Sequence, residues 1–186
     1  MTGASSGASA PVLEIAGCVW RDATAADAHS LAALADLNNH RAMFDLPRSE
    51  DEFAERVNRP GFVLAMLCLR GAKPVGVGAT RLRNWRSLNL SLVSFFEEPA
   101  SSTLLLAAYV RQVFWSLPMH RIYLQLPLVS GAEAYRRLFT SVGFIEEGVI
   151  NGHGIAGAKP LDVAVLGILR RDFEDWCQRN ESSLSL

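Results

Sequence analysis

Three arginines and a tryptophan lie close together in the segment TRLRNWR at residues 80–86. Arg81, Arg83 and Arg86 carry a positive charge at any physiological pH, and Trp85 adds a flat aromatic surface. Guanidinium groups bind phosphates, and an aromatic ring can stack on a nucleic-acid base. The cluster has two interpretations: a site for an anionic group of a substrate, a donor or an RNA, or the solvated edge of a strand and its turn.

Histidine is the side chain that best supports acid–base chemistry near neutral pH. His153 lies in the glycine-rich segment NGHGIAGAKP at residues 151–160, which predicts a loop. It is interpreted either as a general base or as an ordinary loop histidine. His29 and His120 fall on a predicted helix and at the start of a predicted strand, so both are assigned structural positions.

Other kinds of chemistry are not indicated. The four histidines and three cysteines show no metal-ligand spacing, so no metal site is predicted. The odd number of cysteines, without a C-x-x-C pair, argues against a disulfide framework and favours a reducing, cytoplasmic location. The sequence contains no Walker loop and no G-x-S-x-G elbow. A net charge of −1 gives no general attraction to nucleic acid, and no apolar run is long enough to predict a membrane span.

Length and composition favour one globular domain. The chain has 186 residues, of which 49% are hydrophobic and 20% are charged. Residues 1–11, MTGASSGASAP, are predicted to be a flexible leader, and residues 181–186 a flexible tail. Residues 12–180 are predicted to form the domain.

Hydrophobic periodicity predicts the elements that position these side chains. Alternating or continuous apolar runs predict strands at 18–22, 62–69, 74–85, 87–96, 120–128, 144–150 and 161–169. Helical spacing and capping residues predict helices that begin at Thr24 and Ser49, and helices at 101–117, 131–143 and 170–179. The strand–helix–strand unit over 87–128 requires one parallel crossover in an otherwise antiparallel sheet.

This order of elements resembles the GNAT acyltransferase superfamily over residues 18–170. The segment AEAYRRLFTSVGFIEEG at residues 132–148 is similar to the family pattern N-x-x-A-x-x-x-Y-x-x-x-G-F-x-x-x-G. Asp162 before a strand and Arg170 after it resemble the ribosomal-protein alanine N-acetyltransferase branch. The resemblance implies an α/β fold with a largely antiparallel mixed sheet, one central parallel β-α-β crossover and flanking helices.

The resemblance also implies an acyl-CoA donor. In the family, the pantetheine arm lies between the two central parallel strands, and the pyrophosphate binds at the N-terminus of the crossover helix, where N–H groups are unpaired. The residues that this assigns to the donor are Ser94, Phe95, Phe96, Ala100, Ser101, Ser102 and Thr103.

The donor loop departs from the family pattern [Q/R]-x-x-G-x-[G/A]. Ala100 and Ser102 occupy the two glycine positions, and their Cβ atoms narrow the approach of the backbone to a pyrophosphate. Glu97 replaces the arginine or glutamine, Glu98 follows it, and Pro99 lacks an N–H group. These changes predict that acetyl-CoA binds more weakly than is usual for the fold.

Further site residues follow from the resemblance. Phe139 stands where the family has a tyrosine that protonates the leaving thiolate, and Tyr135, one helical turn earlier, either replaces that tyrosine or packs in the cleft. His40 and Asp45 fall in the connection that shapes the acceptor pocket. Arg136 and Arg137 fall beside the crossover helix, where they either contact a phosphate or tRNA end or are surface charges.

Three functions remain open on these residues. The first is N-acyl transfer from acyl-CoA to an amine of a small molecule or peptide. In the second, the donor is an aminoacyl-tRNA or an acyl carrier protein, which the altered loop favours. The third is a non-catalytic GNAT-like module that binds a ligand or partner.

Overall fold

A computed structural model of the chain describes residues 13–44, 46, 49–58, 62–84, 86–156 and 159–180. Its strands are β1 (Leu13–Ile15), β2 (Cys18–Asp22), β3 (Phe62–Arg70), β4 (Lys73–Asn84), β5 (Asn89–Phe96), β6 (Arg121–Pro127), β7 (Ile145–Ala156) and β8 (Lys159–Leu169). Its helices are α1 (Ala28–Asp36), α2 (His40–Phe44), α3 (Glu50–Asn58), α4 (Thr103–Ser116), α5 (Ala132–Ser141) and α6 (Arg170–Arg179). Short 3-10 turns precede α1, α2 and α4.

The eight strands form one sheet in the order β1-β2-β3-β4-β5-β6-β8-β7. Every neighbouring pair is antiparallel except β5 and β6, which are parallel and are joined through α4. This confirms the predicted mixed sheet with one central crossover. The described residues include no helix that is both long and apolar enough to cross a membrane.

Helix starts follow their local sequence. The Thr24 N–H donates to the Asp27 carboxylate at 2.8 Å, and Arg21 forms an ion pair with the same carboxylate, so the turn before α1 is fixed from both sides. The Glu52 N–H donates to the Ser49 hydroxyl at 3.3 Å at the start of α3. Both of these starts were predicted from capping residues.

Three features of the fold differ from the prediction. β1 and α2 were not predicted, because three and five residues are too few to show periodicity. The prediction of a loop at 151–160 is wrong: β7 continues to Ala156 and β8 begins at Lys159, which makes one long hairpin. Gly152 and Gly154 lie at an irregularity in the pairing of β7 with β8, and Gly152 has a left-handed φ of 62°, so in the sequence these glycines resemble those of a loop.

The two faces of the sheet carry different helices. On one face, the Tyr109 ring of α4 packs on Trp20, which also contacts Phe96 edge-on. On the other face, Phe95 packs against α2. Successive strand residues point to opposite faces, so Phe95 and Phe96 join β5 to both layers of the core. β5 is therefore held firmly where it passes between α2 and α4.

Candidate functional site

The parallel ladder between β5 and β6 is short. Only the pairs Asn89–Arg121, Leu90–Ile122 and Ser91–Tyr123 are formed. β5 then continues to Phe96 and β6 to Pro127 without pairing to each other. The strands diverge and leave a gap, bounded by residues 92–96 of β5 and 124–127 of β6. Across this gap, the backbone N–H and C=O groups of the two strands do not form hydrogen bonds with each other.

Hydrogen bonds on the outer sides of the two strands show which backbone groups face this gap. The Glu97 N–H donates to the Val75 carbonyl of β4 at 2.9 Å, so alternation directs the N–H and C=O of Ser94 and Phe96 into the gap. The Leu128 N–H donates to the Asp162 carbonyl at 2.9 Å, which directs the backbone of Gln125 and Pro127 into the gap from β6. Pro127 contributes only a carbonyl.

The Tyr135 hydroxyl lies in the gap and bonds the backbone of Phe96. It accepts the Phe96 N–H at 2.9 Å and lies 3.0 Å from the Phe96 carbonyl. Tyr135 is only 1% exposed, and burial raises the pKa of its phenol above the usual range. The phenol is therefore protonated at physiological pH. It engages the backbone of Phe96 but not the N–H and C=O of Ser94, which also face the gap and can bind another partner.

His40 holds the same hydroxyl from the opposite side. Its Nε2 lies 2.7 Å from the Tyr135 oxygen, and its Nδ1 lies 2.7 Å from the Leu34 carbonyl. A carbonyl accepts only, so Nδ1 carries a proton, and in a neutral ring Nε2 accepts the phenol proton. Burial lowers the pKa of His40, although its hydrogen bond to Leu34 opposes this. The ring is therefore neutral at physiological pH.

Aromatic rings enclose the Tyr135–His40 pair. Phe44 lies 5.1 Å from the Tyr135 ring and 5.9 Å from Phe95, and the His40 ring lies 5.0 Å from Phe95. Helix α2 carries both His40 and Phe44 and packs against β5 and β6. A tyrosine and a histidine that lie 95 residues apart in the sequence are thus fixed at the mouth of one gap.

The N-terminus of α4 lies next to the end of β5. Glu98 contacts the turn that leads into it: the Ser102 hydroxyl donates to the Glu98 carbonyl at 2.7 Å, and the Ser101 hydroxyl donates to the Glu98 carboxylate at 3.2 Å. Thr103 bonds Ser141 of α5 at 2.9 Å, and Ala100 is exposed. The Glu97 carboxylate is instead paired with Lys73 at 2.5 Å. Of the two carboxylates, therefore, that of Glu98 bonds the turn before α4, whereas that of Glu97 is engaged by a lysine.

The predicted donor residues of β5 take different positions. Ser94 is buried and its hydroxyl donates to the Val77 carbonyl at 2.9 Å, so only its backbone faces the gap. The Phe95 ring packs under α2, and the Phe96 ring packs on the opposite face against Trp20. The structure thus brings together the backbone of Ser94 and Phe96, the hydroxyl of Tyr135 and the ring of His40.

The predicted arginines lie on different elements of the fold. In the ladder between β4 and β5, Arg81 lies opposite Ser91, near the start of β5. Helix α4 follows the other end of β5, so Arg81 and the N-terminus of α4 lie at opposite ends of that strand. Arg83 lies on β4, but its side chain is outside the described atoms, as is the whole of Trp85. Arg136 is paired with Glu133 and Glu146, and Arg137 with Glu133.

His153 and Asp45 complete the predicted set. His153 is exposed on β7, not in a loop, and two strand spacings, roughly 10 Å, separate β7 from β6. Asp45 lies outside the described residues. The roles of both residues stay predictions.

The contact of His40 with Tyr135 was missed by the sequence analysis. One signal was present: counting back from Gly143, Tyr135 falls on the alanine of the N-x-x-A-x-x-x-Y pattern, and Phe139 on its tyrosine. The family pattern has a small alanine at this position, so a tyrosine here predicts that the phenol occupies space in the cleft that the alanine would leave open. The pattern does not predict which strand residue the phenol bonds.

Comparison with known proteins places the fold. No family model and no curated protein sequence matches the chain. Among solved structures, ribosomal-protein-S5-alanine acetyltransferase from Vibrio fischeri matches with a TM-score of 0.70 at 13% identity, over 87% of this chain and 97% of that chain. Spermidine N-acetyltransferase from Vibrio cholerae, in complex with CoA and spermine, matches with a TM-score of 0.72 at 16% identity, over 85% and 98%.

A third structure, Mycobacterium smegmatis RimJ in complex with CoA-disulfide, matches with a TM-score of 0.67 at 15% identity, over 89% of this chain and 88% of that chain. These similarities are at the level of the fold, since all three identities are low. Together with the short parallel ladder and the crossover through α4, they show that the chain has the fold of the GNAT acetyltransferases.

Proposed function

We propose that the chain is an N-acyltransferase whose thioester donor lies in the gap between β5 and β6. The observation that carries the proposal is the end of the parallel ladder at Ser91–Tyr123, which leaves the Ser94 and Gln125 backbone groups directed into one gap. An extended donor arm with amide groups can pair with such strand edges as an added strand would. The N-terminus of α4 then lies beside β5 for an anionic group of the donor.

The chemistry requires few side chains. A neutral amine attacks the acyl carbonyl carbon, a C–N bond forms and the C–S bond breaks. The Ser94 N–H, which faces the gap, is the proposed donor that stabilises the negative charge developing on the acyl oxygen. The nitrogen loses one proton and the thiolate gains one, so an amine and a thioester give an amide and a thiol with no net release of protons. Tyr135 is the proposed proton donor, since its phenol is protonated and lies beside the strand, and His153 is a proposed base for the amine.

The proposed acceptor is a primary amine of a small molecule or a peptide. Two of the structural neighbours are named for such acceptors, spermidine and an alanine of a ribosomal protein. On the α2 side, His40 and Phe44 contact Phe95 of β5 and Tyr135. Asp45, Trp85 and the arginines at 81, 83, 136 and 137 are further proposed acceptor or donor contacts.

Aminoacyl-tRNA or a carrier protein is the second candidate donor. It is favoured by the position of Glu98, whose carboxylate accepts a hydrogen bond from Ser101 in the turn that leads into α4. A carboxylate at about 4 Å from a phosphate near the protein surface costs about 1 to 4 kcal/mol of binding. An aminoacyl ester or a carrier arm could enter the gap while placing its phosphates elsewhere.

Turnover assays separate these donors. The wild-type protein is incubated with acetyl-CoA or with aminoacyl-tRNA, each with spermidine and with a peptide that begins with alanine, and the amide product is measured by mass spectrometry. We expect an amide product that depends on both the amine and one donor class. An absence of amide with every donor and acceptor would contradict the proposed function and leave a binding module.

The variant Gln125→Pro tests the use of the β6 edge. It removes one N–H that faces the gap while leaving the β8 ladder intact, and Pro127 shows that the strand accepts proline two residues later. We expect the KM for the donor to rise about tenfold, the value of one hydrogen bond. Gln125→Ala is the matched control, because it keeps the N–H and changes the same exposed side chain. Equal KM values in the two variants would exclude a contact at this N–H.

A further inference from the structure

The Tyr135 hydroxyl bonds Phe96 as an adjoining amide would. One oxygen accepts the Phe96 N–H at 2.9 Å and stands 3.0 Å from the carbonyl of the same residue. Within a sheet, these two groups pair with the C=O and N–H of a neighbouring strand. A ligand with amide groups that lay along β5 would pair with the same two groups, so the phenol and such a ligand exclude each other at Phe96.

The proton count shows why the phenol can leave Phe96 at low cost. Tyr135 has one hydroxyl proton and two acceptors, the Phe96 carbonyl at 3.0 Å and His40 Nε2 at 2.7 Å. A neutral His40 takes that proton, since the contact with Nε2 is the shorter one and Nδ1 is committed to Leu34. If the phenol moves away from β5 with its proton still on Nε2, and a carbonyl of the ligand accepts the Phe96 N–H in its place, no buried donor is left unpaired.

His40 is held independently of the strand. Its Nδ1 bonds Leu34 of α1, and its ring contacts Phe44 and Phe95. The imidazole therefore remains a fixed acceptor for the phenol whether or not Tyr135 bonds Phe96.

From these contacts we propose that the Tyr135–His40 pair is an internal competitor of the donor. In the free protein Tyr135 occupies the backbone groups of Phe96, and an amide-bearing donor arm binds by displacing the hydroxyl. The hydroxyl then keeps His40 as its partner until the C–S bond breaks, when its proton passes to the thiolate. This rests on the proposed function, because it assigns the gap to such a donor. It adds that the Tyr135 hydroxyl, by competing for Phe96, lowers the affinity of the gap for the donor.

The test compares binding of acetyl-CoA, by calorimetric titration, to the wild type and to Tyr135→Phe. Loss of the hydroxyl frees both groups of Phe96 and keeps the ring, so we expect binding about tenfold tighter, equivalent to the loss of one to two net hydrogen bonds from the free state. Tyr109→Phe is the matched control. It removes another buried hydroxyl, which bonds the Leu64 carbonyl at 3.0 Å and belongs to a ring on the opposite face of the sheet. The affinity of this variant for acetyl-CoA should stay within about twofold of the wild type.

A second variant predicts the opposite sign. His40→Phe keeps an aromatic ring but removes the alternative acceptor, so the phenol proton goes to the Phe96 carbonyl and the competitor is strengthened. We expect acetyl-CoA to bind this variant severalfold more weakly than the wild type. A general loss of packing would weaken binding in both His40→Phe and Tyr135→Phe, and would not produce opposite signs.

Each outcome is decisive for the competitor. Unchanged or weaker binding in Tyr135→Phe overturns it, and if the wild type still transfers an acyl group, the proposed function survives alone. Tighter binding in Tyr135→Phe, together with no transfer by the wild type from any donor, supports the competitor and removes the proposed function; transfer by Tyr135→Phe itself is not used, because that variant lacks the proposed proton donor. If neither protein binds acetyl-CoA, the competitor is overturned, and the assay with aminoacyl-tRNA then decides whether the proposed function stands with another donor.

Discussion

Replacement of Gly78 by alanine is expected to destabilise the protein by about 3 kcal/mol or more. A Cβ at this position would lie 2.6 Å from three atoms of the Tyr109 ring, well inside van der Waals contact. The ring has no room to retreat, since it packs at 5.3 Å on Trp20 and its hydroxyl is bonded to the Leu64 carbonyl. The added methyl group therefore separates α4 from β4. The measurement is the free energy of unfolding in urea.

Two controls separate this clash from the loss of a flexible glycine. Gly71→Ala meets nothing within 4 Å, but its φ of +61° is left-handed, so a cost of about 1 kcal/mol is expected from backbone strain alone. The double variant Gly78→Ala with Tyr109→Val should lose less stability than the sum of the two single changes, because the smaller side chain removes the clash. Strict additivity would contradict direct packing of Tyr109 on Gly78.

Replacement of His40 by glutamine is expected to cost about 2 to 4 kcal/mol at neutral pH. His40 is fully buried, and glutamine cannot keep both the bond to the Leu34 carbonyl and the bond to the Tyr135 hydroxyl in the same geometry. It also fills less of the space between Phe44 and Phe95. A loss below about 0.5 kcal/mol would contradict the role of His40 in holding α2 over the gap.

This cost should depend on pH in a defined direction. Burial lowers the pKa of His40 in the folded protein, so between the folded and unfolded pKa values the unfolded chain binds the extra proton. The stability that His40 provides is therefore complete above a pH of about 6.5 and is lost as the pH falls toward the folded pKa, with a slope of at most about 1.4 kcal/mol per pH unit. The difference in unfolding free energy between the wild type and His40→Gln should shrink on acidification. His120→Gln, at an exposed position, is the control.

The sequence was sufficient to predict strands β2 to β8 and the crossover, although not β1 or the full length of the β7–β8 hairpin. The alternation of leucine with polar residues over 87–96 specified β5, and the change of period after Pro99 specified α4, so the parallel neighbour β6 followed from chain geometry. The 3.6-residue period and Gly143 likewise placed α5 and its end. These elements are long enough that the burial of one face produces a recognisable hydrophobic period in their sequence.

The remaining differences have physical causes. α2 has only five residues and follows Asn38, whose left-handed φ of 48° turns the chain, so no periodic stripe reports it. The β7–β8 hairpin is hidden because Gly152 and Gly154 serve irregular pairing rather than a loop. The bond between Tyr135 and His40 joins distant segments and depends on how α2 and α5 lie across the sheet, which no local pattern encodes.

Amide hydrogen exchange tests the central claim, that the gap between β5 and β6 receives the donor. The exchange of the Ser94 and Gln125 N–H groups is measured in Tyr135→Phe protein with and without a saturating concentration of acetyl-CoA. These two amides face the gap from its opposite edges. A donor arm between the strands should slow both of them, while the Glu97 N–H, already bonded to Val75, should change little. Acetyl-CoA that binds without slowing either amide would place the donor elsewhere and contradict the account.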